Sequence, residues 1–186
     1  MPALSKTAQL LRYFAQQYQA PSGVAGIPRK RLMKMAYLSD MLALEYLGEA
    51  ITEYQYIRYT YGPYDEAIKD TIDEIVAAGM GEIRTVWDNE QRTIQLLARG
   101  VPAPFDFTPG QMEVMRYVVM NYLRMPMEEL LRDVVYSSAP MTDAEMSKPL
   151  PMEVLRNRGT QKVGFELEAM LRAEQEIASG RFAADF

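Results

Sequence analysis

The feature that most constrains the fold is a pair of segments in the first half of the chain, residues 31–40 and 61–65. The first lies in a stretch that opens with Pro28 and closes with Gly48, residue types favoured at the start and the end of a helix. The second contains the pair Gly62-Pro63, which is typical of a turn. We therefore predict a long helix, a strand, a turn and a new helix, in that order.

The predicted long helix is apolar on two faces, which is typical of the central helix of a domain. One face consists of Leu32, Met35, Ala36, Leu42, Ala43 and Tyr46, and the other of Met33, Tyr37, Leu44 and Leu47. Asp40 lies on the same helix, and a buried carboxylate must be paired or hydrogen-bonded. We expect Asp40 to be tethered to a neighbouring backbone segment or to a basic side chain.

The remaining pattern predicts an α+β fold that is mainly helical, with a small antiparallel sheet, and winged-helix-like at most. The further helices are predicted over 4–18, from Tyr64 or Asp65 to Gly79, after the capping-box residue Thr108, from Pro126, and over 165–179. A strand is predicted over 52–61 and a β-hairpin over 82–87 and 91–97. Residues 1–141 are expected to form one compact domain. Residues 142–186 form a C-terminal extension with a loop, mainly over 137–164, and a final amphipathic helix.

The composition limits the chemistry, because the 186 residues include no histidine and no cysteine. Without them the chain cannot build a Ser-His-Asp or Cys-His system or an ordinary zinc site. We predict no catalytic residue, no cofactor and no metal. A weaker alternative is a carboxylate–metal hydrolase on the acidic helix 65–74, although the acidic spacing there is typical of a solvated face.

No apolar stretch reaches the length of a membrane-spanning helix, and the N-terminus lacks the pattern of a signal peptide. The absence of cysteine fits a reducing compartment. We therefore expect a cytoplasmic protein with no membrane contact. The sequence leaves its oligomeric state open.

A basic group, Arg29, Lys30 and Arg31 with Lys34, opens the long helix of a chain whose net charge is −5. Positive charge at a helix N-terminus opposes the helix dipole, so the group has no intrinsic structural benefit there. Three interpretations stay open: a solvated face, contact with an anion or an acidic protein partner, and contact with nucleic acid. In the last case the predicted hairpin would serve as the wing of a winged-helix-like DNA-binding regulator.

Tyrosines crowd the predicted strand and its turn, and they fall on both faces of the strand. They are Tyr54, Tyr56, Tyr59, Tyr61 and Tyr64. Tyrosine is a favoured strand residue and also a preferred interface anchor. The pattern therefore allows sheet packing on one face and partner binding on the other.

Three segments together resemble the Panacea domain of SocA-like antitoxins: residues 31–40, the helix exit 46–52 and the Tyr-Gly-Pro turn with its acidic helix, 61–68. The segment 129–136 is similar to the closing element of that family, so the resemblance covers roughly residues 28–141. It assigns mostly structural roles to the motif residues Leu32, Lys34, Tyr37, Asp40, Tyr61, Gly62 and Pro63.

The resemblance implies a bacterial or phage antitoxin of a toxin–antitoxin system, which neutralises a partner toxin by direct protein–protein binding. Some members of the family are instead proteolytic adaptors or phage-associated proteins, and an antitoxin can also bind its own operator DNA. For the toxin interface we predict Tyr54, Tyr56, Arg58, Tyr61, Tyr64 and Asp65. Arg29, Lys30 and Arg31 are predicted to contact an anion or an acidic partner.

Overall fold

Helices with two small antiparallel sheets make up the part of the chain that the computed structural model describes, residues 3–19, 26–88, 91–100, 104–156 and 171–172. This arrangement confirms the predicted α+β class with a mainly helical content. The elements in chain order are α1 (Lys6–Gln19), β1 (Ile27–Pro28), α2 (Arg29–Leu47), β2 (Ile57–Tyr59), β3 (Gly62–Tyr64), α3 (Ile68–Ala77), β4 (Gly81–Asp88), β5 (Gln91–Ala98), α4 (Pro109–Tyr122), α5 (Met127–Glu129), a π-helix (Leu130–Val135), α6 (Ala139–Thr142) and a 3-10 helix (Met152–Leu155).

Helix α2 is the central helix, as its two apolar faces predict. Every side chain from Arg31 to Leu44 is buried. The helix follows Pro28 and is terminated by Gly48, whose φ of 82° lies in the left-handed region that glycine adopts without strain. Helices α1 and α4, strand β3 and the 3-10 helix all pack against it. The surrounding layers therefore leave α2 no solvated face over this stretch.

The larger sheet has the strand order β1–β5–β4. Strands β4 and β5 form the predicted hairpin, with Gly81 opposite Ala98 at one end and Asp88 opposite Gln91 at the other. Helix α4 begins with the predicted capping box, in which Thr108 and Gln111 exchange side-chain and backbone hydrogen bonds. Among the described helices, none combines the length and the apolar character that crossing a bilayer requires.

The prediction of one long strand over 52–61 that ends at Gly62-Pro63 was wrong. Residues 57–59 form β2, and Gly62 and Pro63 belong to β3, which pairs back on it with Tyr59 opposite Gly62. The reason is the φ of 89° at Gly62, which lets two residues reverse the chain between the paired strands. The result is a short hairpin, β2–β3, whose residues Gly62 and Pro63 are buried against the helices.

Helix α3 begins at Ile68 rather than at Tyr64 or Asp65. The residues before it form a tight turn, in which the Asp65 carboxylate accepts a hydrogen bond from Ala67 N at 2.8 Å and Lys69 N donates to Glu66 O at 3.1 Å. An aspartate that binds the backbone two residues ahead stabilises a turn in competition with the helix. This competition explains the later start of α3.

The helix predicted from Pro126 is present, but it passes from α5 into a π-helix over Leu130–Val135. The segment predicted as mostly loop contains two short helices, α6 and the 3-10 helix. Leu150 and Leu155 of that segment are buried in the same core as α1 and α2. The final helix predicted over 165–179 lies outside the described residues, except for 171–172.

Candidate functional site

A groove of about 340 Å³ lies between the first turns of α2 and the β2–β3 hairpin. We call it the hairpin groove. Its α2 side carries Arg29, Lys30, Met33 and Lys34, and its other walls carry Ile57, Tyr59, Tyr61, Gly62, Tyr64, Glu66 and Ile68. Basic side chains from one helix therefore face aromatic side chains from one hairpin.

The hairpin is fastened to the helices on both sides. Lys34 Nζ donates a hydrogen bond to the carbonyl oxygen of Pro63 at 2.8 Å, and Tyr136 Oη donates to Thr60 O at 3.1 Å. A Cβ atom added at Gly62 would lie 3.2 Å from Lys34 Cε. It would also lie 3.3 Å from the side chains of two π-helix residues, Leu131 and Val135. Glycine is thus favoured at this position both by its φ and by the close approach of α2 and the π-helix.

Three hairpin tyrosines, Tyr59, Tyr61 and Tyr64, form an aromatic surface beside the groove. Tyr59 is 50% exposed and Tyr61 is 59% exposed, whereas Tyr64 is half-buried with its ring centroid 5.7 Å from that of Tyr59. The ammonium of Lys30 lies 5.0 Å from the centroid of the Tyr61 ring, at cation–π distance. The surface therefore combines exposed aromatic area with a positive charge.

Within the described ranges, Arg29, Lys30 and Lys34 form no ion pair with a carboxylate. The acidic wall residue Glu66 is instead paired with Lys69 at 2.9 Å. Burial, and then the positive charge of Lys30, lower the pKa of Lys34 from 10.5 to about 7. The groove is therefore a locally basic site in an acidic protein.

Two of the tyrosines predicted for partner contact, Tyr54 and Tyr56, are buried in the core. Tyr56 Oη donates to Asp40 Oδ2 at 2.6 Å, and Tyr54 Oη donates to Thr71 Oγ1 at 3.0 Å. The Tyr56 ring also packs edge-on against Tyr37 at 5.4 Å. Both side chains fill the space between α2 and α3 and do not reach the hairpin surface.

The remaining two residues predicted for the interface, Arg58 and Asp65, form hydrogen bonds within the protein. The guanidinium of Arg58 donates to the carbonyl oxygens of Met141 (3.2 Å) and Ala144, and the Arg58 backbone N donates to Lys148 O at 2.8 Å. Asp65 accepts hydrogen bonds from the backbone of Gln55 and Ala67. Both residues hold segments in place beside the groove rather than presenting a free charge.

Asp40 has the backbone tether that its place on α2 predicts. Its Oδ1 accepts from Ile51 N and Thr52 N, both at 2.8 Å, and its Oδ2 accepts from Tyr56 Oη and from the Thr52 hydroxyl. Burial raises the pKa of Asp40, and these hydrogen bonds to the charged form oppose that shift. The carboxylate fixes the segment that leads from α2 to β2 against the helix.

Arg31 is the member of the basic group that is not available to a partner. Its guanidinium donates to Leu123 O at 3.1 Å and to Met125 O at 2.7 Å, just beyond the end of α4. The other structural motif residues are also internal, since Leu32 is fully buried and Tyr37 Oη lies 2.7 Å from Ser138 Oγ. Arg29 and Lys30 line the groove, as described above.

The residues predicted for the interface thus separate into two groups: those with internal contacts, described above, and those that line the hairpin groove. Tyr61 and Tyr64 line the hairpin groove together with the basic residues Arg29 and Lys30. Tyr59, which the set left out, is among the most exposed aromatic residues of the described chain. The polar residues Glu53 and Gln55 alternate with the inward Tyr54 and Tyr56, and this period of two is the signal that could have sorted the tyrosines by face.

The acidic residues of the α3 region do not converge on one point. Across the described residues, no group of three or more carboxylates is arranged to hold a metal ion. Glu74 accepts a hydrogen bond from the Ser5 hydroxyl at 2.8 Å, and Glu66 is bound to Lys69. These side chains stabilise the ends and the surface of α3.

Comparison with known proteins adds one match. The family model described as antitoxin SocA-like, Panacea domain, matches residues 32–138, more than half of the chain. This range includes α2 from Leu32 onward, the β2–β3 hairpin, the π-helix and most of the hairpin groove, and it leaves out the groove residues Arg29 and Lys30. No curated protein and no solved structure matches the chain at a significant level.

Proposed function

The chain belongs to the SocA-like antitoxins with a Panacea domain, and from that membership we propose that it neutralises a partner toxin by direct protein–protein binding. The observation that carries the proposal is the aromatic hairpin surface beside a basic groove. Tyr59 and Tyr61 expose half or more of their area there. Exposed tyrosines are preferred anchors of protein interfaces, because each offers a large apolar ring with a polar tip.

The hydrogen bonds that hold the hairpin in place also support the proposal. The hairpin is held by the Lys34 and Tyr136 hydrogen bonds to the carbonyls of Pro63 and Thr60. Its aromatic side chains are therefore presented by a fixed backbone, and a surface that is already ordered loses less conformational entropy on binding. This preorganisation favours a tight complex with the toxin.

Binding of operator DNA is a weaker alternative for the same protein. A DNA-binding helix uses exposed basic side chains to contact phosphates. Of the basic group on α2, Arg31 and Lys34 are buried and bind carbonyl oxygens, which leaves Arg29 and Lys30 at the surface. Two such residues in a protein of net charge −5 favour a protein partner over nucleic acid.

Co-expression with the protein encoded beside this chain tests the proposal. We expect the neighbouring protein to inhibit growth when it is expressed alone, and the chain to restore growth and to co-purify with it in a stoichiometric complex detected by intact mass. Normal growth with the neighbour alone, or restored growth without a complex, would contradict neutralisation by direct binding.

A control separates occlusion from lowered expression of the toxin. The variants Tyr59→Ala and Tyr61→Ala remove hairpin tyrosines, and Trp87→Ala removes an aromatic residue that is 67% exposed on β4. We expect growth to be lost with the first two variants and retained with the third, at equal levels of folded protein. Equal rescue by all three would place the contact elsewhere.

A further inference from the structure

The ammonium of Lys34 at the base of the hairpin groove has unfilled hydrogen-bonding capacity. The side chain is 4% exposed and lines the groove, and an ammonium carries three N–H donors. One donor is used by the carbonyl oxygen of Pro63 at 2.8 Å. No carboxylate of the described residues lies within ion-pair distance of this nitrogen. A buried ammonium is costly unless it is paired, so its surroundings lack one anionic partner.

Apart from the carboxylate of Glu66, the charged side chains that line the groove have the same sign as Lys34. Arg29 and Lys30 lie on the preceding turn of α2, and neither is ion-paired with a described carboxylate. The wall residue Glu66 is already bound to Lys69. The remaining titratable groups that line the groove are the phenols of Tyr59, Tyr61 and Tyr64. The groove is therefore complementary to an acidic group that enters past the tyrosines.

We propose that the hairpin groove receives an acidic side chain of the toxin, whose carboxylate binds Lys34 Nζ while Lys30 and Arg29 contact the same acidic segment at the mouth of the groove. This inference rests on the proposed function and adds the chemistry of the partner. A volume of about 340 Å³ accommodates a short segment of side chains rather than a whole element. The hairpin tyrosines then pack against the apolar part of that segment.

Proton linkage follows from this geometry. The pKa of Lys34 is about 7 in the free chain, because burial and the charge of Lys30 disfavour the ammonium. A carboxylate at Lys34 favours the charged form, so the pKa rises in the complex. Binding is then strongest below pH 7, and affinity falls as the pH rises through 7 toward the pKa of the complex. Between pH 6 and pH 8 we expect a decrease of about tenfold.

Titration calorimetry of the chain with its co-encoded toxin measures this linkage. Titrations at pH 8 in two buffers of different ionisation enthalpy give the number of protons taken up. The expected result is uptake of nearly one proton by the wild-type chain, and none attributable to this site in Lys34→Met. We also expect Lys34→Met to bind at least about 30-fold more weakly at pH 6, because it leaves a buried carboxylate unpaired. The exposed lysine variant Lys148→Met is the matched control and should behave as the wild type.

A second variant keeps the test decisive if Lys34→Met does not fold. Lys30→Gln removes the positive charge that lowers the pKa of Lys34, so the midpoint of affinity against pH should move to higher pH. A complex that forms without proton uptake, or a pH dependence that neither variant alters, would overturn the inference and leave the proposed function intact.

Absence of toxin binding at every pH from 6 to 9 would instead contradict the proposed function. The groove is then tested on the free chain with end-blocked tetraglutamate, and with tetraglutamine as its uncharged control. Binding of tetraglutamate at pH 6 that Lys34→Met weakens at least about tenfold would retain an acidic-ligand groove. Equal binding of the two peptides, or no binding at millimolar concentration, would overturn it.

Discussion

Lys34 Nζ lies 2.8 Å from the carbonyl oxygen of Pro63, and this hydrogen bond joins the central helix α2 to the hairpin that carries the exposed tyrosines. The two residues are 29 positions apart in the chain. The bond places a buried ammonium at the base of the hairpin groove, which Tyr61 also lines. The same side chain therefore holds the candidate interface in place and carries a buried amine that has no ion-pair partner among the described residues.

The first prediction concerns the pH dependence of stability. The pKa of Lys34 is 10.5 when unfolded and about 7 when folded, so folding releases a proton between these values and stability rises as the pH rises from 7 to 10.5. We expect the wild-type free energy of unfolding to increase by about 2–3 kcal/mol between pH 6 and pH 9. Lys34→Met should remove this increase. Urea unfolding at several pH values measures both slopes.

The range from pH 6 to pH 9 is favourable for this measurement because the chain has no histidine or cysteine. No other side-chain type has its ordinary pKa in that range. Lys148→Met, at an exposed lysine, should keep the wild-type slope. If the free energy of unfolding of Lys34→Met still rises with pH as it does in the wild type, another group titrates in this range.

The second prediction concerns the turn glycine. At Gly62, with a φ of 89°, an added Cβ would lie 3.2–3.3 Å from Lys34, Leu131 and Val135. At Gly48, with a similar φ of 82°, an added Cβ would have no neighbour within 4 Å. We expect Gly48→Ala to cost about 1 kcal/mol for its backbone alone. Gly62→Ala should cost about 1–3 kcal/mol more, because its neighbours must also move. Denaturant midpoints of the two variants measure the difference, and equal midpoints would contradict the close packing of the hairpin.

The third prediction concerns the Asp40 tether. Asp40→Ala leaves the backbone N–H groups of Ile51 and Thr52 without their acceptor in the core, and should cost about 3 kcal/mol or more. Asp40→Asn keeps one oxygen for these donors, and the hydroxyls of Thr52 and Tyr56 can reverse to accept from its amide. We therefore expect the asparagine variant to be clearly the more stable of the two. Similar losses in both variants, measured by thermal and urea unfolding, would show that the negative charge itself is required.

The fourth prediction separates the buried tyrosines from the exposed ones. Tyr56→Phe removes the hydroxyl that donates to Asp40 at 2.6 Å and keeps the ring that packs on Tyr37. It should lower the free energy of unfolding by about 1–2 kcal/mol. Its affinity for the toxin should equal that of the wild type, because this side chain does not line the hairpin groove. A binding titration beside the unfolding curve checks both parts, and weaker binding by a fully folded variant would return Tyr56 to the interface.

Local signals in the sequence were enough to predict much of the fold. Pro28 and Gly48 bound α2, and Thr108 begins α4, because caps and helix ends depend on residues that are adjacent in the chain. The β4–β5 hairpin was also predictable, because its two strands are neighbours in the chain and are separated only by a short segment. The hairpin at Gly62 was not, because Gly-Pro is compatible with a simple chain break, and β3 forms only where α2 and the π-helix hold it.

The candidate site was predictable only in part, because burial depends on partners far away in the chain. Arg31 belongs to a basic group that looks exposed, but its acceptors are carbonyls of Leu123 and Met125, more than 90 residues later. Lys34 is buried by the hairpin in a similar way. The tyrosines were within reach of local reasoning, since the polar residues that alternate with Tyr54 and Tyr56 indicate which way those two face.

The most direct test of the account is the dissociation constant of the toxin complex formed by the double variant Tyr59→Ala/Tyr61→Ala, measured beside Trp87→Ala. All three residues are exposed aromatics, and their removal should leave the core intact. We predict that the double variant binds the toxin at least about 30-fold more weakly than the wild type, while Trp87→Ala binds as the wild type does. A folded double variant that binds with unchanged affinity would contradict an interface at the β2–β3 hairpin.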